Sequence, residues 1–399
     1  MTREQVDSLL RSIQGIPPLP AAVQRLCTLL NDSESSMKEV SEVISTDPAL
    51  TAKILKLANS SFYGLQRRVS TISQAVVVLG FSGVRNLALG VTLFGFRNRP
   101  QRSLSLEMEA FWKHSLAVAT SARLLALHLK LRDLEEAFVA GLLHDIGKIV
   151  LMEHFQEAYA GILKASGEGA RLFAAERAAF GIDHAEVGRI LCEHWGIPPS
   201  LTRAIAEHYH VGDASAGMGK DPLVSIVWLS DNLTKLISFG FDGDPNVDPD
   251  FLDILGTGGA LTGHLRQSLL KLPTELEKAK VFFDLRGMPV GKETHAWNRC
   301  RISVRIQNAR MRGLINLAVL ALGHTPSEDE PGDLPVSAVI SDGATPLAAE
   351  EISPNLKVPH LDFHQWLIQH GHEDGSVNTS KLRSWLLEAL PSHLNGPLP

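Results

Sequence analysis

At 399 residues, 44% of them hydrophobic, the chain is long enough for two or three domains and can bury a sizeable core. Its formal charge of −6, a pI near 6.2 and the lack of a long basic run argue against a broad electrostatic footprint for nucleic acid. The three cysteines, Cys27, Cys192 and Cys300, are far apart and form no CxxC pair. They argue against a disulfide framework or a thiolate metal site and predict reduced, structural thiols.

The opening MTREQVDSLLRS mixes charges with leucines and lacks an apolar stretch followed by small cleavage-site residues. It predicts no secretory signal and a cytoplasmic protein. Pro17, Pro18 and Pro20 then mark an extended lead. Val23, Leu26, Leu29 and Leu30 share one helix face, and Asn31-Asp32-Ser33 breaks that helix. Asp47 is placed as an N-cap with Pro48 at the first helical position, where its missing N–H costs nothing. Leu50, Ile54, Leu57 and Ala58 continue the buried stripe. Asn59, Ser60, Phe62, Tyr63 and Gly64 end it with an aromatic pair, read either as core or as a dock for a neighbouring lobe or partner. Residues 75–96 are the most apolar stretch, but Arg85 and Asn86 would have to sit in lipid, so the pattern predicts a pair of buried helices and no membrane span.

Further on, the periodicity predicts helices over residues 111–129, 134–152, 183–195, 199–208 and 222–239, which together make a helical bundle. Residues 240–259 and 323–333 are rich in Gly, Asp and Pro or are polar and acidic, and read as linkers. These shifts predict an N-terminal helical lobe over 1–105, a bundle over 106–240, an accessory helical region over 241–330 and a C-terminal accessory region over 331–399. Strand patterns at 301–306, 334–343 and 355–363, an apolar segment at 313–322 and an amphipathic helix at 381–390 give the tail a small α/β or mixed character.

Six positions carry candidate chemistry: His114, His144 with Asp145, His184, His208 and Asp231, each on a predicted helix or beside its end. Such groups on different helices can converge inside a bundle to hold metal. Neighbours on one helix diverge by about 100°. His144 and Asp145 would therefore approach a site from two directions, the imidazole on one ion and the carboxylate bridging to a second. Mixed imidazole and carboxylate ligation suits Fe, Mn, Zn or Mg. Lys148, one turn after His144, is placed to steady a phosphate beside Asp145. The plain alternative is that some of the 16 histidines are core or helix-end residues, His144 among them.

The N-terminal half carries IPPLP at 16–20, STDPALTAKILKLANSSFYG at 45–64 and TISQAVVVLGFSGVRNLALG at 71–90. The second half carries WKHSLAVAT at 112–120, AGLLHDIGK at 140–148, FGIDHAEVGRILCEHWGIP at 180–198 and AIAEHYH at 204–210. Through these motifs and their order the chain resembles the HDOD family of bacterial signalling domains. The resemblance implies an all-α fold of two helical lobes related to metal-dependent HD phosphohydrolases. It also implies a first metal held by His114, His144, Asp145 and Asp231, and a second touched by Asp145, His184 and His208. Related HD-GYP phosphodiesterases carry two adjacent histidines where this chain has His208-Tyr209, and no GYP motif follows, which weakens the second site and cyclic di-GMP hydrolysis with it. The leading expectation is a cytoplasmic bacterial regulator that binds a signalling protein or a small nucleotide effector through a largely non-catalytic domain, without membrane or direct nucleic-acid contact. The alternative is a metal-dependent phosphohydrolase acting on a nucleotide or cyclic dinucleotide.

Overall fold

The computed structural model of the protein describes residues 19, 21–30, 36–60, 63, 68–94, 108–167, 171–209, 219–236, 243–244, 246–257, 259–282, 301–305, 325–326, 336–341, 360–362 and 377–378. Its N-terminal lobe holds α1 (Ala21–Leu30), α2 (Met37–Ser45), α3 (Pro48–Ala58) and α4 (Ile72–Phe94). Local chemistry sets the starts. Ser36 and Glu39 close a reciprocal capping box on α2, with Glu39 N donating to Ser36 Oγ and Ser36 N to Glu39 Oε2. Asp47 Oδ1 accepts from the amides of Ala49 and Leu50 at 2.9 and 3.0 Å, capping α3 as expected. Val23, Leu26, Val40, Ile44, Leu50 and Ile54 form the lobe's core.

Within α4, Gly80 adopts φ 77°, a left-handed conformation that favours glycine, and the chain folds by 114° between its two arms, Ile72–Gly80 and Ser82–Thr92. The apolar stretch is thus a bent helix pair with Ala75, Val84, Ala88 and Leu89 buried. Together the arms have the length and composition of a membrane span. Among the described residues, however, no single helix is long and apolar enough to cross a membrane.

The second lobe is built from α5 (Met108–His128), α6 (Leu134–Leu143), α7 (Ile146–Gly167), α8 (Leu172–Phe180), α9 (His184–His194), α10 (Pro199–Glu207) and α11 (Pro222–Leu236). One expectation needs correction here. The single helix predicted over 134–152 breaks at His144 and Asp145. The Gly141 carbonyl accepts the His144 imidazole at 2.8 Å, and Lys148 N closes a three-residue turn on the Asp145 carbonyl at 2.9 Å, so two helices meet at the dyad. Tyr63 ties the lobes together: its hydroxyl donates to Glu135 Oε2 at 2.5 Å, Arg123 Nε donates to Glu135 Oε1 at 3.0 Å, and the Arg123 guanidinium lies 5.3 Å from the Tyr63 ring centre. The aromatic helix end therefore docks on the second lobe through Tyr63, whereas Phe62 lies outside the described residues.

Residues 240–259, read as a linker, contain β1 (Asn246–Val247) and α12 (Pro249–Thr257), whose Phe251, Leu252, Ile254 and Leu255 are buried. Turn-forming Gly, Asp and Pro masked a short amphipathic helix. The next helix, α13 (Ala260–Phe282), packs on α5, as do α6 and α11. Beyond it, β2 (Arg301–Arg305), β3 (Thr325–Pro326), β4 (Val336–Ser341) and β5 (His360–Asp362) form a parallel sheet in the order β3-β2-β4-β5, while β6 (Val377–Asn378) pairs antiparallel with β1. The three tail segments read as strands are neighbours in this sheet. The expected segment at 313–322 and helix at 381–390 lie outside the described residues, as does Cys300; Cys27 and Cys192 are buried and not joined in a disulfide.

What places the site is a close crossing of α7 and α9. A Cβ on Gly147 would overlap the His184 carbonyl oxygen and the Gly188 amide nitrogen, so only glycine lets the two backbones approach. Gly147→Ala should destabilise the fold by about 3 kcal/mol or more, an overpacking cost with backbone as the immovable partner. Gly161→Ala, in the arm of α7 beyond its break at Gln156 (φ 34°) and facing open space, should instead stabilise it by about 0.5–1 kcal/mol. Urea unfolding of the two variants checks the contrast.

Candidate metal centre

The crossing brings His184, at the start of α9, against Asp145 at the α6–α7 junction. His114 comes from the first half of α5, His208 from the end of α10 and Asp231 from α11. All six predicted positions converge, each between 0 and 5% exposed. His114, His144 and Asp145 offer one set of close donor atoms, and Asp145, His184 and His208 a second. Asp145 belongs to both. Its Oδ2 lies 3.2 Å from His144 Nε2, and its Oδ1 lies 3.4 Å from His184 Nε2 and 3.7 Å from His208 Nε2. Asp231 Oδ1 stands 3.0 Å from His114 Nε2 and 3.7 Å from His144 Nε2.

The imidazoles are oriented from behind. His144 Nδ1 donates to the Gly141 carbonyl and His208 Nδ1 to the Ile205 carbonyl, both at 2.8 Å, while His184 Nδ1 donates to Glu176 Oε2 at 2.6 Å. A proton on each Nδ1 leaves the Nε2 lone pair facing inward. The two bare nitrogens of His184 and His208 then confront each other at 3.4 Å, an arrangement that needs a cation or a proton between them. His144 Nε2 and Asp145 Oδ1 are buried and lack any hydrogen-bond partner. Such orphaned buried acceptors are costly, and a divalent ion with mixed imidazole and carboxylate ligation satisfies them. The donor set fits the metal.

Without an ion the cluster is balanced by protons, and a metal at His144 would displace the one on its Nε2. Burial would raise the Asp145 carboxyl, yet the neighbouring His144 and Lys148 charges hold it well below the usual range. Burial likewise opposes ionisation of Asp231, and Lys235 and His114 pull it well below. Burial works against the His144 cation too, but the Asp145 and Asp231 carboxylates raise it to about 10; His208, buried and beside that cation, falls to about 3. Lys148, expected to steady a phosphate, is buried and donates to Asp145 Oδ2 at 2.8 Å.

Tyr209 does not join the ligands. Its hydroxyl donates to Asp183 Oδ2 at 2.5 Å, its ring stacks on Phe173 at 4.7 Å, and the same Asp183 caps α9 through Glu186 N. Beside it a pocket opens next to Asp231, walled by Arg171, Phe173, Trp228 and Lys235, with Asn246 and Val247 among its lining residues. Sequence reasoning missed Glu176. The signal was available: Leu172, Glu176 and Phe180 recur at a spacing of four on α8, which puts a carboxylate in an apolar stripe, and all three are buried. It also missed Lys235, one turn after Asp231 and 2.9 Å from its Oδ2.

The sequence pattern of the HDOD domain matches residues 16–211, so Asp231 is supplied from beyond the matched region. Among solved structures, an HDOD domain protein of unknown function from Geobacter sulfurreducens is 26% identical, with a TM-score of 0.53 over 71% of this chain and 97% of its own. A candidate signal transduction protein from Marinobacter aquaeolei VT8 is 25% identical, with a TM-score of 0.53 over 71% of this chain and 65% of its own. An uncharacterized protein of Treponema pallidum (strain Nichols) is 26% identical over 230 residues, 57% of this chain and 43% of that protein. A shorter match, 31% identical over 97 residues, covers 24% of this chain and 23% of the uncharacterized protein YuxH of Bacillus subtilis (strain 168). The chain thus spans less than half the length of the curated relatives it matches.

Removing Asp145 should leave Lys148 buried without its carboxylate. Asp145→Ala is expected to destabilise the metal-free protein by about 3–5 kcal/mol, and adding Lys148→Met should recover a large part of that loss. A double-mutant cycle by urea denaturation in the presence of a chelator measures both.

Proposed function

With residues 16–211 identified as an HDOD domain, we propose that the chain is a bacterial, cytoplasmic signal-transduction protein whose bundle holds divalent metal and passes a change of state to a protein partner or small nucleotide effector. The observation that carries this reading is the pair of buried, unpartnered acceptors, His144 Nε2 and Asp145 Oδ1, at the join of two donor triads. His114, His144, Asp145 and Asp231 would hold one ion; Asp145, His184 and His208 would hold the other. Such an ion, when bound, lowers the pKa of a coordinated water and neutralises charge on a phosphoryl oxygen. The chain's own residues favour retention of the ions over turnover: every ligand is buried, and Lys148 is committed to Asp145 instead of facing a phosphate. The similar structure from Marinobacter aquaeolei VT8, named for signal transduction, agrees with a regulatory role.

A second reading, metal-dependent hydrolysis of a nucleotide or cyclic dinucleotide, is favoured by the pocket beside Asp231 with the Lys235 ammonium in its wall. Both readings are separated by one set of measurements. Protein purified without chelator should carry divalent metal by elemental analysis, with less of it in His114→Ala and in His184→Ala. With added Mn or Fe it should not turn over cyclic di-GMP, nucleotides or a generic phosphodiester. Robust hydrolysis abolished by His144→Ala would overturn the regulatory reading. Absence of metal under metal-replete conditions would overturn the metal centre itself.

A further inference from the structure

Glu176 is a fully buried carboxylate whose two oxygens are both occupied. Its Oε1 accepts the Tyr159 hydroxyl at 2.6 Å; its Oε2 accepts the His184 backbone amide at 2.9 Å and the His184 imidazole Nδ1 at 2.6 Å. The backbone contact fixes the carboxylate to the first residue of α9, and the tyrosine fixes it to α7. Three donors converge on a group that can only accept when ionised, so the proton shared with His184 sits on Nδ1 and the Nε2 lone pair is aimed at Asp145 and His208. His144 and His208, by contrast, are backed by neutral main-chain carbonyls. A carboxylate behind an imidazole raises its basicity as a ligand more than an amide carbonyl does. His184 is therefore the stronger of the two nitrogen donors in the second triad.

We propose that Glu176 is the positioning residue of the second metal site, compensating for the turned-away Tyr209 so that Asp145, His184 and His208 hold a divalent ion with three protein donors and open positions. This rests on the metal-centre reading above. Three protein ligands with vacant positions are the pattern of an ion that exchanges water or ligand, not of a closed structural site. The second ion is then the one with room for an added ligand.

The test uses the full chain with Glu176→Gln, which keeps an acceptor oxygen but removes the charge, and Glu176→Leu, which removes the acceptor. Zinc is titrated in while histidine ring nitrogens are followed by NMR, so that uptake at His184 and His208 is read separately from uptake at His114 and His144. Expected is a roughly tenfold loss of second-site affinity in the Gln variant and about a hundredfold loss in the Leu variant, the range for lost outer-sphere partners, with the first site unchanged. In the metal-free protein, His184 should carry its proton on Nδ1 in wild type and in the Gln variant, and lose that preference in the Leu variant. Wild-type affinity at His184 and His208 in the Gln variant, or a wild-type His184 protonated on Nε2, overturns the proposal. Wild-type protein that takes up no zinc at all contradicts the metal-centre reading, while the tautomer measurement still decides the role of Glu176.

Discussion

A carboxylate buried at the centre of a helical bundle must be neutralised, and the arrangement of this domain follows from how Asp145 meets that demand. Lys148 answers one oxygen at 2.8 Å from the next helical turn, while three imidazoles surround the two oxygens. Lys148 reaches only one oxygen and Oδ1 is left without a hydrogen bond, an unmet buried acceptor that an ion held by the histidines would satisfy. Everything nearby is then constrained in direction: each Nδ1 is tied outward so that each Nε2 can look inward.

The backbone makes room for that arrangement. Breaking the helix at His144 and Asp145 frees the Gly141 carbonyl for an imidazole, and a glycine on each side of the α7–α9 crossing lets His184 come within 3.4 Å of the shared carboxylate. The N-terminal lobe is held against this bundle in part by the Tyr63–Glu135–Arg123 group, in which Glu135 is buried and its two partners half-buried. Burial raises the Glu135 carboxyl, and Arg123 beside it pulls the other way. Glu135 lies on the helix that ends at His144, so the interlobe contact and the donor cluster share one element.

Much of this was legible in the sequence, for identifiable reasons. Caps are local, so Asp47 and Pro48 announced α3, and periodicity announced α5, α9, α10 and α11. The six site residues stood out because His and Asp in apolar helices are expensive unless they are used. The break at the dyad was invisible, because LLHDIGK is a continuous helical pattern and the interruption comes from a side chain competing for a backbone carbonyl. Residues 240–259 misled in the opposite sense: their Gly, Asp and Pro suggested a linker, yet Pro249 and Asp250 begin a helix whose apolar face is buried. Tyr209 read as a weak ligand from its side-chain chemistry, but its partner Asp183 could be found only in three dimensions.

The shared carboxylate is also where the proposed function is most exposed to test. Two ions bridged by Asp145 would be magnetically coupled, whereas ions in separate pockets would not. Electron paramagnetic resonance of the full chain loaded with Mn(II) reads this directly. An exchange-coupled spectrum that collapses to that of isolated Mn(II) in His184→Ala is the predicted result. An isolated-ion spectrum in the fully loaded wild type, unchanged by His184→Ala, would contradict the shared centre.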